Sequence, residues 1–248
     1  MMKRLIPSIG LLVSLVAVPL AAGFSTQVQA DEDGSFDEVL AQVTRKVSTN
    51  QKVIALTFDD GPSQTFTPQV LDLLRQYGAR ATFFVIGYRV KEYSNLVRQE
   101  LSMRNEVANH TYSHIVVQGL SQNRVADELQ EAHSAFLAET RVGETPFFRP
   151  PRGRYDKRVL SVAGAKGYGI VLWSVDSRDW SNPGTGSIIR RVLENVHPGD
   201  ILLFHDQGGN RSQTIQALRV ILPNLKSRGY RMVTVSDLMR MADSDPLK

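Results

Sequence analysis

Two adjacent carboxylates, Asp59 and Asp60, lie where a short apolar run ends and a Gly-Pro turn begins. The run at 53–56 predicts a buried strand, because it is short, aliphatic and followed by turn residues. Two anions this close repel each other unless a cation lies between them or each has a separate role. Asp before Gly-Pro is also a common turn sequence, so this stretch alone favours an ordinary turn.

Two histidines, His110 and His114, are four residues apart in the segment His-Thr-Tyr-Ser-His. If the segment is a helix or a tight turn, both rings face the same way and can share a metal. Such a pair is weak evidence by itself. With a carboxylate from another strand end, it becomes a two-His, one-carboxylate site with open positions for water and substrate. Of the five histidines, His205 also follows an apolar run, and we assign no role to His133 and His197.

Strand-like and helix-like segments alternate along the chain, which predicts parallel strands covered by helices. The predicted strands are 53–58, 82–86, 106–108, 147–149, 169–173, 201–204 and 231–235. The predicted helices are 67–77, 90–103, 121–140, 157–166, 186–195, 212–228 and 235–241. Seven such units are fewer than the eight of a complete barrel.

Polar side chains at the ends of these strands distinguish the two architectures that such alternation allows, an open doubly wound sheet and a closed barrel. The strand ends carry Asp59 and Asp60, His110, Arg149, Asp176 and Asp179, and His205. Five strand ends suit a ring, because an open sheet concentrates its site at one switch point. We therefore predict an α/β fold, a distorted seven-stranded (β/α) barrel. No Gly-x-Gly-x-x-Gly segment and no phosphate loop is present, which excludes the common nucleotide-binding motifs.

The first thirty residues have the layout of a secretory signal, with Lys3 and Arg4 before an apolar run and small residues before Asp31. A membrane anchor is the alternative, because the run is almost long enough to span a bilayer. Pro7 and Pro19 favour cleavage. We therefore expect an exported protein, periplasmic or secreted, with no stable membrane insertion after cleavage.

The domain organisation predicted from these segments has four parts. They are a signal peptide at 1–30, a polar lead-in at 31–50, a catalytic domain at 51–242 and a tail at 243–248. Within the lead-in we predict one short helix at 36–46.

The charge balance is only modestly basic, with 29 Lys and Arg against 25 Asp and Glu, a formal net charge of +4. Without Lys3 and Arg4 the count is 27 against 25, or +2. Basic residues are scattered, which argues against a nucleic-acid partner. The chain has no cysteine, so an exported protein of this length must rest on its own hydrophobic core. We expect a monomer whose substrate is not held mainly by charge.

Five short segments occur in a fixed order along the chain. They are Thr-Phe-Asp-Asp-Gly-Pro at 57–62, His-Thr-Tyr-Ser-His at 110–114, Arg-Pro-Pro-Arg-Gly at 149–153, Asp-Ser-Arg-Asp-Trp at 176–180 and Leu-Phe-His at 203–205. Together they resemble the five motifs of the polysaccharide deacetylases, carbohydrate esterase family 4, also called the NodB-homology domain. The resemblance covers nearly all of residues 50–240. The fold of that family is a distorted barrel of βα units, which agrees with the strand count.

The resemblance implies a metal site and a general base. Asp60, His110 and His114 would hold a divalent metal, zinc first, with cobalt and nickel as alternatives. Asp59 would remain free beside the metal as the general base. Arg149 would pair with Asp59 and orient it, a task that suits the fork-shaped guanidinium better than lysine.

The resemblance also implies a general acid and a substrate surface. His205 would protonate the leaving nitrogen, and Asp179 would set its tautomer and basicity. Asp176 is expected only to stabilise its loop. The expected substrate contacts are Arg152, Trp180, Leu203 and Tyr155. Of these, the Arg152 backbone N–H would meet the oxyanion, while Trp180 and Leu203 would face the acetyl methyl.

The activity implied by the resemblance is removal of N-acetyl groups from a polysaccharide that contains N-acetylglucosamine, such as peptidoglycan, chitin-type glycan or poly-N-acetylglucosamine. Many family members carry an aromatic residue at the position of Arg152, and a cation there indicates a substrate with nearby carboxylates, such as peptide-bearing peptidoglycan. Two alternatives stay open: an O-acetyl esterase acting on xylan-type polymers, and a glycan-binding protein without catalysis. A Ser-His-Asp hydrolase is disfavoured, because no Gly-x-Ser-x-Gly elbow is present.

Overall fold

The structure is a computed structural model that describes residues 41–243. The predicted signal peptide, the first part of the lead-in at 31–40 and the end of the predicted tail at 244–248 lie outside the described residues. Among the helices of residues 41–243, none combines the length and the apolar character that a bilayer span requires.

Within residues 41–243, nine strands form one sheet, and every pair of neighbouring strands is parallel. They are β1 Val43–Thr44, β2 Val53–Asp59, β3 Ala81–Val85, β4 Glu106–Asn109, β5 Phe147–Phe148, β6 Gly169–Val171, β7 Val175–Asp176, β8 Ile201–His205 and β9 Arg231–Val233. All seven predicted strands are present. The two additional strands, β1 and β7, have two residues each, too few for an alternating pattern to be recognised.

Eight α-helices accompany these strands in the described part of the chain, seven of them between strands and the last one after β9. They are α1 Thr67–Tyr77, α2 Gly87–Glu92, α3 Ser94–Ser102, α4 Gln122–Thr140, α5 Lys157–Ala165, α6 Thr185–Leu193, α7 Ser212–Ser227 and α8 Val235–Asp243. The predicted helix at 90–103 is in fact two helices, because the backbone of Tyr93 leaves the helical region at φ −129° and ψ 41°.

The strand order is β1-β6-β5-β4-β3-β2-β8-β7, with β9 paired to the first half of β2. No pairing joins the end strands β1 and β7 in the described part of the chain, so the barrel is open on one side. The sheet nevertheless curls strongly. Arg149 follows β5, three strands from β2, yet its Nη1 lies 2.6 Å from Asp59 Oδ1. In a flat sheet those strands would be about 14 Å apart. The distorted barrel predicted from the sequence is thus confirmed.

Strand β2 lies at the centre of the sheet and is buried along its whole length. Its even-numbered residues, Ile54, Leu56 and Phe58, pack in one cluster with side chains of α1 and α7. Its odd-numbered residues Val53 and Ala55 belong to a different cluster, on the opposite face. Side chains alternate along a strand, so Asp59 must follow Val53 and Ala55 onto the inner face of the curled sheet.

The lead-in contributes a strand to the sheet. Val43–Thr44 pairs with β6, and Lys46 bridges to Asp200 with its Nζ 2.9 Å from the Asp200 carboxylate. The helix predicted at 36–46 is therefore wrong for residues 41–46, and residues 36–40 lie outside the described part. The β-branched residues here are better suited to a strand than to a helix, and Val47 packs against the inner core cluster.

Candidate functional site

The alternation of side chains brings the polar residues of several strand ends to one face. In β8, Ile201 belongs to the inner cluster, so Leu203 and His205 share its face. The register of β2 with β8 places His205 directly beside Asp59. By the same rule, Ala108 on the inner face of β4 puts His110 on that face. The inner face at the carboxyl end of the sheet is therefore where these side chains converge.

A buried ion pair joins Asp59 to Arg149, whose side chain is fully buried. The Nη1 atom of Arg149 donates to Asp59 Oδ1 at 2.6 Å and to Thr57 Oγ1 at 2.9 Å. Its Nε and Nη2 atoms donate to the carbonyls of Val171 and Leu172 at 2.9 and 3.0 Å. A buried charge is costly unless it is paired and hydrogen-bonded. Burial lowers the pKa of Arg149, and the Asp59 carboxylate opposes that shift.

Asp60, His110 and His114 form a group that could hold a metal ion, with their ligand atoms all within 4.8 Å of one another. Asp60 Oδ1 lies 3.4 Å from His110 Nε2 and 3.1 Å from His114 Nε2. The His110 Nδ1 atom lies 2.6 Å from the Arg149 carbonyl. Because a carbonyl can only accept, Nδ1 donates there and Nε2 is left available as a ligand. Two imidazoles and a carboxylate are the donors that zinc prefers, so the residues fit such an ion.

The charge state of Asp60 suits a metal ligand. Burial acts to raise the pKa of Asp60, but the hydrogen bonds to His110 and His114 outweigh it, and the pKa lies well below its ordinary value. A ligand carboxylate must be deprotonated to bind a metal. Asp60 therefore has the charged form that a metal ligand requires.

His205 is paired with a fully buried carboxylate. Its Nδ1 lies 2.8 Å from Asp179 Oδ1, and its backbone N–H donates to Asp179 Oδ2 at 2.8 Å. Thr214 Oγ1 donates to the same Oδ2 atom at 2.9 Å. Burial acts to lower the pKa of His205, but the hydrogen bond and charge of Asp179 outweigh it and raise the pKa to about 9. His205 is thus held in the protonated form of an acid.

These groups line a cleft with a volume of about 540 Å³. Its lining consists of Asp59, Asp60, His110, His114, Arg152, Trp173, Asp176, Trp180, Leu203 and His205. Arg152 and Trp180 are exposed at the surface. Of the four residues predicted to contact substrate, Tyr155 does not line the cleft. It packs instead against a core cluster that includes Phe148 and Val159.

Several residues at the site were not predicted. Trp173 lines the cleft at the end of a predicted strand, so the rule applied to the other strand ends could have found it. Asp176, which was expected only to stabilise its loop, accepts the Arg178 N–H at 2.8 Å and also lines the cleft. Arg211, which is buried, donates to the Asp179 carbonyl at 2.8 Å. It lies at the start of α7, and nothing in the local sequence marks it.

The chain is similar to known proteins over most of its length. A family model described as polysaccharide deacetylase matches residues 46–171. A peptidoglycan-N-acetylglucosamine deacetylase of Bacillus cereus is 49% identical over 205 residues, covering 82% of this chain and 95% of that protein. A chitooligosaccharide deacetylase of Azorhizobium caulinodans is 36% identical over 205 residues, covering 78% and 97%. The crystal structure of the Bc1960 peptidoglycan N-acetylglucosamine deacetylase aligns with a TM-score of 0.77 at 32% identity, covering 81% and 94%.

Proposed function

Because the chain belongs to the polysaccharide deacetylase family, as its five motifs predicted, we propose that it is a metal-dependent hydrolase that removes N-acetyl groups from a polysaccharide containing N-acetylglucosamine. The observation that carries this proposal is the trio Asp60, His110 and His114 beside a second, differently held carboxylate, Asp59. An ion pair that only stabilises the fold requires a single carboxylate. A second, adjacent carboxylate at the same cleft with different partners therefore indicates a second role.

The first half of the reaction requires a base. A divalent ion held by Asp60, His110 and His114, zinc in our proposal, would polarise the acetyl carbonyl and acidify a water molecule. Asp59 accepts the proton of that water as the new carbon–oxygen bond forms. Arg149 keeps the Asp59 carboxylate in one orientation, because its guanidinium is itself fixed by two backbone carbonyls.

The second half requires an acid for the departing amine. His205 gives a proton to the nitrogen as the carbon–nitrogen bond breaks, which leaves acetate and a free amine. Asp179 orients the ring through Nδ1, so that Nε2 is the atom that gives up the proton.

The groups around the acetyl unit complete the site. The backbone N–H of Arg152 is proposed to donate to the developing oxyanion, a contact whose loss typically costs about 2.7–4 kcal/mol of transition-state stabilisation. Leu203, Trp173 and Trp180 provide apolar surface for the methyl group. Arg152 adopts a left-handed backbone conformation at φ 59°, which is uncommon for a residue other than glycine.

We place the substrate outside the cytoplasm and favour peptidoglycan. The 49% identical relative is a peptidoglycan deacetylase by name, and the N-terminal sequence has the layout of an export signal. The exposed Arg152 guanidinium at the cleft suits a glycan whose peptide stems carry carboxylates. We also propose that the enzyme is a monomer.

The test of the function is acetate release from peptidoglycan, chitopentaose, poly-N-acetylglucosamine and acetylxylan, with zinc or cobalt supplied. We expect release from at least one N-acetylated glycan and its loss on addition of a strong chelator. No acetate from any of these substrates would refute the proposal. Release from acetylxylan alone would assign the protein to ester hydrolysis, because an ester is an easier substrate for the same groups.

The preference for peptidoglycan has its own test, the substitution Arg152→Ala. We expect KM to rise roughly two- to fivefold on peptidoglycan, the size of an exposed ion pair, and to stay unchanged on neutral chitopentaose. Arg154→Ala is the matched control, because Arg154 is exposed nearby but does not line the cleft. If KM changes equally on peptidoglycan and on chitopentaose, Arg152 does not recognise the carboxylates of the substrate.

A further inference from the structure

The segment that carries both histidine ligands has an unusual backbone. In this histidine loop, residues 110–114, Thr111 has φ 68° and His114 has φ 60°. Neither residue is glycine, and a left-handed conformation costs a non-glycine residue of order 1 kcal/mol or more. Such conformations persist when surrounding contacts determine them. The contacts that hold the histidine loop therefore matter for where its side chains point.

One edge of the histidine loop is held by the start of α2. The carbonyl of Thr111 accepts the Gly87 N–H at 2.9 Å, and the carbonyl of Tyr112 accepts the Tyr88 N–H at 3.1 Å. A Cβ atom at Gly87 would lie 2.9 Å from the Tyr112 ring and 2.8 Å from the backbone of Ala132 in α4. The glycine is thus what allows α2, the loop and α4 to approach this closely.

The other edge is held by a single side chain, Glu128 of α4, which is fully buried. Its Oε2 atom accepts the backbone N–H groups of Tyr112 at 3.1 Å and Ser113 at 2.8 Å. Its Oε1 atom accepts Ser113 Oγ at 2.7 Å and Arg124 Nη2 at 2.6 Å. The carboxylate thus has four donors, three of them from the loop. Hydrogen bonds to a charged acceptor are about twice as strong as neutral ones.

The two histidines depend on this loop to different degrees. His110 directly follows β4, and its ring is held by the Arg149 carbonyl. The His114 side chain is 33% exposed, and in the described part of the chain its ring has Asp60 as its hydrogen-bonding partner. Its position therefore depends on the backbone that precedes it. Glu128 holds residues 112 and 113 of that backbone, while Asn109 Oδ1 accepts the Thr111 N–H at 2.9 Å and Thr111 Oγ1 accepts the His114 N–H at 3.0 Å.

We propose that Glu128 is a positioning residue for the metal site, which fixes the histidine loop so that His114 Nε2 reaches the ion held by Asp60 and His110. The inference rests on the proposed function only in taking these three residues as metal ligands. Glu128 is not among the three ligands and does not line the cleft. Residues that orient metal ligands in this indirect way typically change metal affinity about 10–100-fold when substituted.

The experiment compares zinc affinity in wild type and Glu128→Gln by competition with a chromophoric chelator. Glutamine keeps the shape of the side chain but presents an N–H₂ group where the loop amides need an acceptor. We expect zinc affinity to fall about 10–100-fold. Activity measured against zinc concentration should shift to higher zinc by the same factor, with kcat recovering at saturation.

The matched control is Glu100→Gln. Glu100 on α3 is also a fully buried carboxyl, and in the described part of the chain its carboxyl oxygens accept no hydrogen bond, from the histidine loop or from elsewhere. We expect its zinc affinity to stay within about twofold of wild type, because the ligands are untouched. Equal losses in both variants would overturn the proposal, since they would report general damage to the fold.

A second variant keeps the test decisive if Glu128→Gln does not fold. Ser113→Ala removes one of the three loop contacts, and we expect about a two- to tenfold loss of zinc affinity. Unchanged affinity in a folded Glu128→Gln protein, or in Ser113→Ala if the first does not fold, overturns the proposal while leaving the deacetylase assignment intact. Zinc binding with the expected loss, but without acetate release, would support Glu128 and refute the enzyme function. A wild type that binds no zinc overturns both.

Discussion

At the scale of single residues, the molecule separates two neighbouring carboxylates by their surroundings. Asp59 ends a buried strand and pairs with Arg149. Asp60 leaves the strand with φ 74° and turns toward the two imidazoles. The change of backbone direction between them allows one carboxylate to bind a cation while the other accepts a proton. Environments that differ in this way assign different roles to chemically identical groups.

Asp59→Asn tests this division of roles. Asparagine cannot accept the proton of water, so we expect kcat to fall about 10²–10⁴-fold, the usual contribution of a general base. Zinc affinity and glycan binding should persist, because Asp59 is not among the three ligands. The measurements are acetate release and zinc competition. Asp72→Asn, the same change on an exposed residue of α1, serves as the control, and retained turnover in Asp59→Asn would contradict the assignment.

Asp179→Asn tests the source of the basicity of His205. The pKa of His205 is raised to about 9 because Asp179 outweighs the effect of burial. Without that carboxylate, the pKa of His205 should fall, because burial is then opposed only by the charges of Asp59 and Asp60, and ring resonances in a pH-dependent NMR series would show it. Asp176→Asn, which leaves the His205–Asp179 pair intact, should not move the titration. The metal-free protein is used, so that no bound ion contributes.

The same variant has a stability consequence with a definite sign. The folded-state pKa of His205 lies above its ordinary value of 6.5. Its contribution to the free energy of unfolding is therefore complete below pH 6.5 and disappears as the pH rises through about 9. We expect Asp179→Asn to destabilise the protein more below this window than above it, by at most about 3 kcal/mol, because Asp59 and Asp60 supply part of the shift. Urea denaturation of both proteins across the window measures the difference, and a pH-independent difference would contradict it.

At the scale of elements, the ends of β2 and β8 and the start of α1 meet next to the site. Asp206 follows β8, is fully buried, and accepts a hydrogen bond from Thr67 Oγ1 at the start of α1. Burial raises the pKa of Asp206 to about 7. A Cβ atom at Gly61, just after β2, would lie within 2.6 Å of Asp206 Oδ2. The turn after Asp60 therefore packs against the Asp206 carboxyl group. A side chain at position 61 would clash with that group, so the position requires glycine.

Gly61→Ala tests this junction. The added methyl must displace Asp206 or the turn, and overpacking of this kind typically costs about 1–3 kcal/mol of unfolding free energy. We expect zinc affinity to fall as well, because Asp60 is the preceding residue. Gly186→Ala in α6 is the control, since its Cβ would meet nothing within 4 Å and alanine should stabilise a helix by about 0.5–1 kcal/mol. Equal effects of the two substitutions would contradict the close approach at Gly61.

At the scale of the whole molecule, the metal site draws on distant parts of the chain. Asp60 follows β2, and the two histidines follow β4. An ion bound there stabilises the folded state, because the unfolded chain does not bring these ligands together. Metal binding and the stability of the whole sheet are therefore linked.

Zinc should raise the melting temperature. At free zinc about 100 times the dissociation constant the gain is about 2.7 kcal/mol, which corresponds to about 5–10 °C for a domain of this size. His114→Ala should abolish the shift, whereas His197→Ala, at an exposed position far from the ligands, should retain it. Scanning calorimetry with zinc and with chelator makes the comparison. A shift that persists in His114→Ala would place the ion elsewhere.

The amino-acid sequence by itself determined the order and type of the elements and which residues stand at strand ends. Both are local properties: apolar runs bounded by turn residues predict strands, and alternation assigns each side chain to a face. The seven predicted strands and the pairing of His110 and His114 with a carboxylate from another strand end follow from such patterns, whereas the choice of Asp60 as that carboxylate came from the resemblance of the five motifs to a known family. Trp173 could also have been predicted to line the site, because it ends one of the predicted strands.

Only the tertiary structure decided how far the sheet curls and which distant residues support the site. The outward packing of Tyr155 and the support from Glu128 and Asp206 had no local signal. The strand at 43–44 is too short for a pattern, and the pairing of Arg149 with Asp59 across three strands was expected only from the resemblance to a known family. Each depends on contacts between segments far apart in the chain, and a pairing of that kind leaves no periodicity in either segment. Local patterns therefore predicted the chemical groups, while long-range packing determined how firmly each of them is held.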